Sequence, residues 1–274
     1  KTMQDKSFDY AIDMVCMNAE QASSTIRAFN GVKHLIFCSS ASVYGNEYSS
    51  YPKKEDYLLK PFTRYALSKA EAEFSFIKAY EKDKFPITIL RPSLTYGSKL
   101  GLYRQISTDS SWIDRIRKGK PILICDDGGA RCQFMHADDA AYVFISLLGR
   151  EECFGEVYNV VNEKPYSWKE YHIEAMNVIG KKVELVEVSF KDLSKFKIPR
   201  FRLCQDSTSH DSYLSSKKLL RILPEFKYKI SLNEGMYRIF KSMDEDGRIK
   251  NSFSQNWEDR IIRKKNKGTF KNGL

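Results

Sequence analysis

The chain has 274 residues, with 45 Lys and Arg against 35 Asp and Glu, which gives a formal net charge of +10. Hydrophobic residues make up 42% and charged residues 29% of the chain, so a collagen-like, low-complexity or disordered protein is excluded. The length suffices for one large or two modest domains with a substantial core. No run of about 18 apolar residues occurs, and we therefore expect no transmembrane helix and no membrane partner.

The predicted elements alternate between apolar strands and helices. In chain order we predict a strand at 8–17, a helix at 18–29, a strand at 32–40, a helix at 63–83, a strand at 85–93, a helix at 112–120, a strand at 121–127, a helix at 136–150, a strand at 156–162, a helix at 167–180, a strand at 181–189, an irregular stretch at about 190–215, and two final helices at 215–223 and 231–247. This alternation predicts an α/β fold with parallel strands joined by right-handed crossovers.

The cysteines and histidines give no sign of a metal site. None of the six Cys residues forms a CxxC pair, and the four His residues are scattered, so we predict neither a zinc ribbon nor a redox motif. Free buried thiols are typical of a protein from a reducing cytoplasm, which is the expected location. The stretch 260–274 holds six basic residues and no acid, and we predict a mobile, solvated tail, with binding of a polyanion as the alternative.

Three predicted strands end in small or hydroxyl residues, at Cys16, at Ser39 and Ser40, and at Pro92 and Ser93. Doubly wound sheets bind ligands beyond the carboxyl ends of their strands, so these ends leave room for a flat ligand. No GxGxxG or P-loop motif occurs in the chain.

Tyr65 and Lys69 are four residues apart on a predicted helix and therefore share one face. A nearby ammonium favours a phenolate, so Lys69 is expected to lower the pKa of Tyr65 and allow it to take a proton from a substrate hydroxyl. Ser40, at the end of a neighbouring strand, is placed to hold the substrate oxygen. The same Tyr-x-x-x-Lys spacing recurs at Tyr80, Tyr213 and Tyr237, but only the first pair follows a strand that ends in hydroxyl residues.

Four segments occur in an order that resembles a known family. They are CSSASVYG at 38–45, YALSK at 65–69, LRPSLTYG at 90–97 and HADDAA at 136–141. As a set they resemble the extended short-chain dehydrogenases/reductases, in the NAD-dependent epimerase/dehydratase group, which acts largely on nucleotide sugars. The resemblance implies a Rossmann-type doubly wound parallel sheet, here lacking its first strands, with a smaller α/β substrate domain. It assigns 1–98 and 133–165 to the Rossmann part, 99–132 and 166–250 to the substrate part, and 251–274 to a basic tail.

The resemblance also implies roles for individual residues. The catalytic residues would be Ser40, Tyr65 and Lys69. The cofactor would contact Met14, Val15, Ser39, Tyr65, Lys69, Pro92 and Ser93, and the substrate would contact Ser40, Ser42 and Arg131. The cofactor implied is NAD, with NADP left open, and a homodimer is compatible with the family.

Four departures from the family pattern affect the functional prediction. The family's opening strand and Gly-rich turn are absent, because the chain begins near the family's fourth strand. Ala41 and Ser42 stand where 4,6-dehydratases carry an Asp-Glu pair, which favours epimerisation over dehydration. Cys132 occupies the position of an Arg that binds the diphosphate, with Arg131 one residue earlier. The stretch from Asp13 to Ser39 is short, as in an RNA-binding branch of the superfamily known from chloroplasts.

The function predicted from the sequence is NAD-dependent epimerisation of a nucleotide sugar through a transient keto intermediate. Two alternatives stay open: a non-catalytic RNA-binding relative, suggested by the net charge and the short Asp13–Ser39 stretch, and a reductase or dehydrogenase of another small molecule, suggested by Cys132. Nucleic acid is not the expected partner, because the set Ser40, Tyr65 and Lys69 is intact.

Overall fold

The computed structural model describes residues 8–48 and 50–268. Its strands are β1 Tyr10–Asp13, β2 His34–Cys38, β3 Ile87–Pro92, β4 Leu94–Tyr96, β5 Ile122–Cys125, β6 Arg131–Cys132, β7 Phe134–His136, β8 Val157–Val160, β9 Tyr166–Ser167 and β10 Leu185–Val188. Its α-helices are α1 Ala19–Ala28, α2 Arg64–Asp83, α3 Ser111–Arg117, α4 Ala137–Ser146, α5 Trp168–Ile179, α6 Phe190–Leu193, α7 Lys217–Ile222, α8 Leu232–Glu245 and α9 Trp257–Asn266. The predicted α/β fold with parallel strands is thereby confirmed.

The chain forms two compact units. The first comprises 1–95, 137–163 and 213–229, and the second comprises 96–136, 164–212 and 230–274. The sequence-based division differs most at 213–229, which belongs to the first unit, and at the described part of the predicted tail, which belongs to the second. Its other boundaries lie two to four residues away from those of the units. None of the described helices is both long and apolar enough to cross a membrane.

The first unit contains a four-stranded parallel sheet in the order β1-β2-β3-β8. Its strands are short, and β2, β3 and β8 are largely buried, as expected for a parallel sheet, whereas β1 at the end of the sheet is partly exposed. Side chains of β2 and β3, including Phe37 and Ile89, pack with Ala72 and Phe76 of α2 in one buried cluster. The long helix is thereby fixed against the sheet, and Lys69 in its second turn binds carbonyls near the carboxyl ends of β1 and β2.

The second unit is built around β5 and β10, which pair in parallel, while β6 pairs with β9 in antiparallel fashion. Its core includes Trp257, Ile261 and Ile262 of α9. The prediction of a mobile, solvated tail at 260–274 is therefore wrong over 260–266. The basic residues of this segment lie mainly on one face of an amphipathic helix, while its apolar face packs in the core. Residues 269–274 lie outside the described residues.

His34 gives the first unit a predictable dependence on pH. The buried ring accepts a hydrogen bond from the Gly149 N–H at Nδ1, so its proton lies on Nε2, 2.9 Å from Thr88 Oγ1. Burial lowers the pKa of His34 to about 4. Between pH 6.5 and pH 4, His34 binds a proton in the unfolded chain, whereas the buried His34 of the folded chain does not. We therefore expect stability to fall by about 3 kcal/mol between pH 6.5 and pH 4.

Hydrogen exchange of β2 amides, measured at pH 7 and pH 5, tests this expectation. In His34→Gln the difference between the two pH values should shrink, whereas His210→Gln, at an exposed histidine, should keep it. An unchanged pH dependence in His34→Gln would show that other groups cause the acid sensitivity.

Candidate active site

Helix α2 carries Tyr65 and Lys69 on successive turns. Its start is fixed by Thr63, whose hydroxyl accepts a hydrogen bond from the Ala66 N–H at 3.1 Å. Tyr65 lies in the first turn with 46% of its surface exposed, whereas Lys69 is buried. The helix therefore presents one accessible phenol and one enclosed ammonium on the same side.

The Lys69 ammonium joins the ends of two strands. Its Nζ donates to the carbonyl oxygen of Cys16, beyond β1, at 2.7 Å and to that of Cys38, at the end of β2, at 2.8 Å. An ammonium has three hydrogens, so one remains available to a ligand. Burial lowers the pKa of Lys69, and negative charge from neighbouring thiols and carboxylates opposes this effect.

Ser40 connects β2 to Tyr65. It is the N-cap of a 3-10 turn at Ala41–Tyr44, where its Oγ accepts hydrogen bonds from the Ser42 N–H at 3.2 Å and from the Ser42 hydroxyl at 2.9 Å. Interaction with the same side chain opposes the rise in the pKa of Tyr65. Ser40 thus caps a turn and also acts on the tyrosine.

The predicted lowering of the Tyr65 pKa by Lys69 is wrong for this chain alone. Removal of the phenol from water raises the pKa of Tyr65, even though much of the ring is exposed. The hydrogen bond from Ser40 opposes the rise, and the Cys38 thiol adds to it. The physical reason for the difference is that loss of hydration outweighs the other effects on the phenol, and the Lys69 ammonium is not among the groups that shift the pKa of Tyr65.

A buried ion pair joins β3 to α2, and the sequence analysis did not predict it. Arg91 of β3 and Glu73 of α2 form a two-pronged contact, with Nε to Oε1 at 3.0 Å and Nη2 to Oε2 at 2.6 Å. The Ser39 hydroxyl donates to Glu73 Oε1, and Arg91 Nη1 donates to the Tyr44 hydroxyl at 2.8 Å. Tyr44 in turn donates to Asn159 of β8. The sequence feature that could have indicated this ion pair is the charged residue Arg91 inside an apolar strand.

The predicted cofactor residues fall into two groups. Val15 is 80% exposed and Met14 is also exposed beyond β1, in a turn held by hydrogen bonds from the Val15 and Cys16 N–H groups to the Asp13 carboxylate. Pro92 ends β3, and the half-buried Ser93 follows it. Ser39 differs, because its hydroxyl is buried and donates to Glu73. Its contact with the cofactor stays a prediction.

The predicted substrate residue Arg131 belongs to the second unit. Its guanidinium forms a half-exposed ion pair with Asp211 at 2.9 Å, and its N–H donates to the same carboxylate at 2.8 Å. Cys132 is buried, and loss of hydration raises the pKa of its thiol far above the ordinary value. An anion would have to compete with Asp211 for Arg131, so its role in binding substrate stays a prediction.

Comparison with known proteins supports the family that the sequence motifs resemble. The model of the NAD dependent epimerase/dehydratase family matches residues 5–160. The chain is 27% identical over 180 residues to 2'-dehydrokanamycin reductase of Streptomyces kanamyceticus, covering 66% of this chain and 51% of that protein. It is 26% identical over 163 residues to chloroplast stem-loop binding protein of 41 kDa b of Arabidopsis thaliana, covering 60% and 40%. The chain thus spans about half the length of the curated relatives that it matches.

Among solved structures, UDP-glucose 4-epimerase from Thermotoga maritima with UDP-glucose superposes with a TM-score of 0.67 at 18% identity. The match covers 87% of this chain and 78% of that one, and at this identity it supports the fold alone. The family match extends over more than half of the chain and includes Ser40, Tyr65 and Lys69. The chain therefore belongs to the NAD-dependent epimerase/dehydratase family.

Proposed function

We propose that the protein performs NAD-dependent chemistry on a nucleotide sugar, and specifically that it epimerises a ring carbon through a transient ketone. The observation that carries the proposal is the accessible Tyr65 phenol one helical turn from the buried Lys69, whose ammonium binds carbonyls beyond β1 and at the end of β2, two residues before Ser40. Similarity to a UDP-glucose 4-epimerase in fold is consistent with this substrate class.

The side chains present fit the nicotinamide half of NAD. One hydrogen of the Lys69 ammonium is free to meet a ribose hydroxyl, since the other two bind the carbonyls of Cys16 and Cys38. Exposed Met14 and Val15 and the half-buried Pro92 offer apolar surface at the strand ends. When bound there, the nicotinamide would accept a hydride from the sugar and return it. NADP stays an alternative, because none of the described residues is assigned to the adenosine end of the cofactor, where NAD and NADP differ.

In the proposed reaction Tyr65 takes the proton of a ring hydroxyl as the carbon is oxidised, and returns it when the ketone is reduced on the opposite face. Proton removal requires the phenolate, and Ser40 is the hydrogen-bonding group that favours it. Ser40 would also contact the reacting oxygen. Ala41 and Ser42 bring no carboxyl group to this turn, which favours epimerisation over elimination of water.

Two other functions have specific support. The Arabidopsis relative is named as a stem-loop binding protein, and the chain is basic, which favours RNA binding. The Streptomyces relative is named as a reductase, which together with Cys132 favours net reduction of another small molecule. The set of Ser40, Tyr65 and Lys69 supports catalysis over RNA binding alone.

The catalytic proposal predicts a large effect of Tyr65→Phe. In the native protein, with NAD and UDP-glucose as the first probe, turnover should fall about 100-fold or more, because the general acid/base is lost. Binding of NAD should change little. NMR of the anomeric protons would follow epimerisation, and absorbance at 340 nm would detect net reduction or oxidation.

The matched controls are Tyr80→Phe and Tyr213→Phe, at two further tyrosines with a Lys four residues later, and both should retain activity. Near-wild-type turnover by Tyr65→Phe would contradict the proposed role. If no sugar nucleotide is turned over, and single-stranded RNA binds with submicromolar affinity at physiological salt, the RNA-binding alternative is favoured instead.

A further inference from the structure

Net charge is distributed unequally between the two units. The second unit holds 26 of the basic residues and 17 of the acidic ones, so it carries nine of the ten net positive charges. Within it, the stretches 190–202 and 260–267 together contain ten basic residues and one acid, Asp192. The excess positive charge of the chain is therefore concentrated in two short segments of one unit.

The fold places these two segments next to each other. Phe201 of the first segment and Ile261 of α9 lie in one buried cluster, and Phe196 packs against it. The Lys264 ammonium lies over the Phe196 ring, 5.1 Å from its centre. Lys265 Nζ donates to a backbone carbonyl oxygen just before the first segment. Two basic runs that are far apart in the sequence thus meet on the outside of the same core.

Acids that flank the two segments are paired elsewhere. The Glu187 carboxylate lies 3.3 Å from Lys169 Nζ, and the Asp259 carboxylate lies 2.8 Å from Arg115 Nη2. Within the two segments, Asp192 offsets a single charge. The basic surface is defined by six exposed side chains of the two segments, Lys191, Lys195, Lys197, Arg263, Lys264 and Lys267.

We propose that the basic surface binds the phosphate backbone of a nucleic acid without reading its bases. Among the described residues 190–202 and 257–267, no large hydrophobic side chain is exposed. An interface with another protein has an apolar centre, and a helix bound to a membrane surface inserts its apolar face, but the apolar face of α9 is packed in the core. Phosphate groups need only the charge that this surface offers.

This proposal goes beyond the proposed function and does not depend on it. The sequence analysis did not expect nucleic acid because the set of Ser40, Tyr65 and Lys69 is intact, but that set lies in the first unit. Binding that is independent of base sequence has a Kd of about 1 to 100 μM at physiological salt. This range separates it from the submicromolar binding that the RNA-binding alternative requires.

Fluorescence anisotropy with a labelled oligo(U) RNA of about 20 nucleotides, at about 50 and 200 mM salt, tests the proposal. The test variant combines Lys195→Gln, Lys197→Gln, Arg263→Gln and Lys267→Gln, and it keeps the Lys264–Phe196 contact. Each phosphate contact contributes about 0.7 to the slope of log affinity against log salt concentration for a single strand. The slope should therefore fall by about 3, and affinity at the lower salt by about tenfold or more. Oligo(dU) DNA should bind like the RNA, because the phosphates are the same.

The matched control removes the same number of charges from exposed lysines of the first unit, with Lys78→Gln, Lys82→Gln, Lys217→Gln and Lys227→Gln. Its affinity for the RNA should stay within about twofold of the wild type, because the basic surface is intact. A variant that exchanges Lys and Arg at the four test positions keeps the charge and should keep the salt slope. If the test variant does not fold, Lys191→Gln with Lys197→Gln decides by the same comparison, with a fall in slope of about 1.4.

Three results would overturn the proposal. Equal losses of affinity in the test variant and the control would show that net charge, and not this surface, causes binding. Absence of binding to both oligonucleotides at about 50 mM salt would contradict it directly. Binding to vesicles of phosphatidylserine and phosphatidylcholine that depends on the four test positions, without binding of RNA or DNA, would identify a lipid surface as the partner instead.

Discussion

Replacing Arg91 by Leu is expected to lower the free energy of unfolding of the first unit by about 3 to 5 kcal/mol. The change removes the cation of a fully enclosed ion pair and leaves the Glu73 carboxylate buried with the Ser39 hydroxyl as its remaining partner among the hydrogen bonds described. It also removes the donor that the Tyr44 hydroxyl accepts. The loss exceeds the free energy that the ion pair contributed, because the remaining Glu73 carboxylate is charged, unpaired and unable to reach water.

Hydrogen exchange of α2 and β3 amides would measure this effect within the first unit. Arg150→Leu is the matched control, because the Arg150–Glu225 pair belongs to the same unit but is partly exposed, and should cost at most about 1 kcal/mol. The double variant Arg91→Leu with Glu73→Leu should recover much of the loss, since an apolar pair leaves no unpaired charge. An equal loss from Arg91→Leu and Arg150→Leu would contradict the assigned role of burial.

Local sequence patterns were sufficient to predict the elements that position the candidate site. The apolar run ending in Ser39 and Ser40 indicated β2, and the run of good helix formers after Thr63 indicated α2. Parallel topology then brings the ends of neighbouring strands to one edge, which is why Ser40 and Tyr65 could be paired before their contact was seen.

Long-range side-chain contacts could not be predicted in the same way. Glu73 lies on α2 in a position that also suits a solvated acid, and only the packed fold shows that it meets Arg91, 18 residues later. The predicted strand at 8–17 extends past β1, which ends at Asp13, so Met14 and Val15 lie in the turn beyond it. The bond from Ser39 to Glu73 was not predictable either.

Helix α9 was missed because its charges dominate the composition of 260–274. The available signal was apolar residues at helical spacing, since Trp257, Ile261 and Ile262 share one face of α9 and are buried in the second unit. Removal of 260–274 should therefore destabilise the second unit, because the deletion takes two core isoleucines.

The buried carboxylate of Glu258 ties α9 to the second unit. Its two oxygens accept from Arg104 Nη1 and Nη2 at 2.9 and 2.8 Å and from the Leu123 N–H at 2.8 Å, and Arg115 Nε lies 3.6 Å away. The side chains of Arg104, Arg115 and Glu258 are all 0% exposed. Arg104 therefore depends on this carboxylate for its two charged hydrogen bonds, whereas Arg115 also pairs with Asp259 at 2.8 Å.

Glu258→Gln should accordingly lower the free energy of unfolding of the second unit by about 3 to 5 kcal/mol, because it keeps the shape and removes the charge. All three Trp residues belong to this unit, so tryptophan fluorescence during urea unfolding reports on it selectively. Glu234→Gln, which breaks a half-exposed pair with Arg238 on α8, should change stability by at most about 1 kcal/mol. If Glu258→Gln unfolds at the same urea concentration as Glu234→Gln, α9 is held by its apolar face alone, and the buried charges add nothing to its attachment.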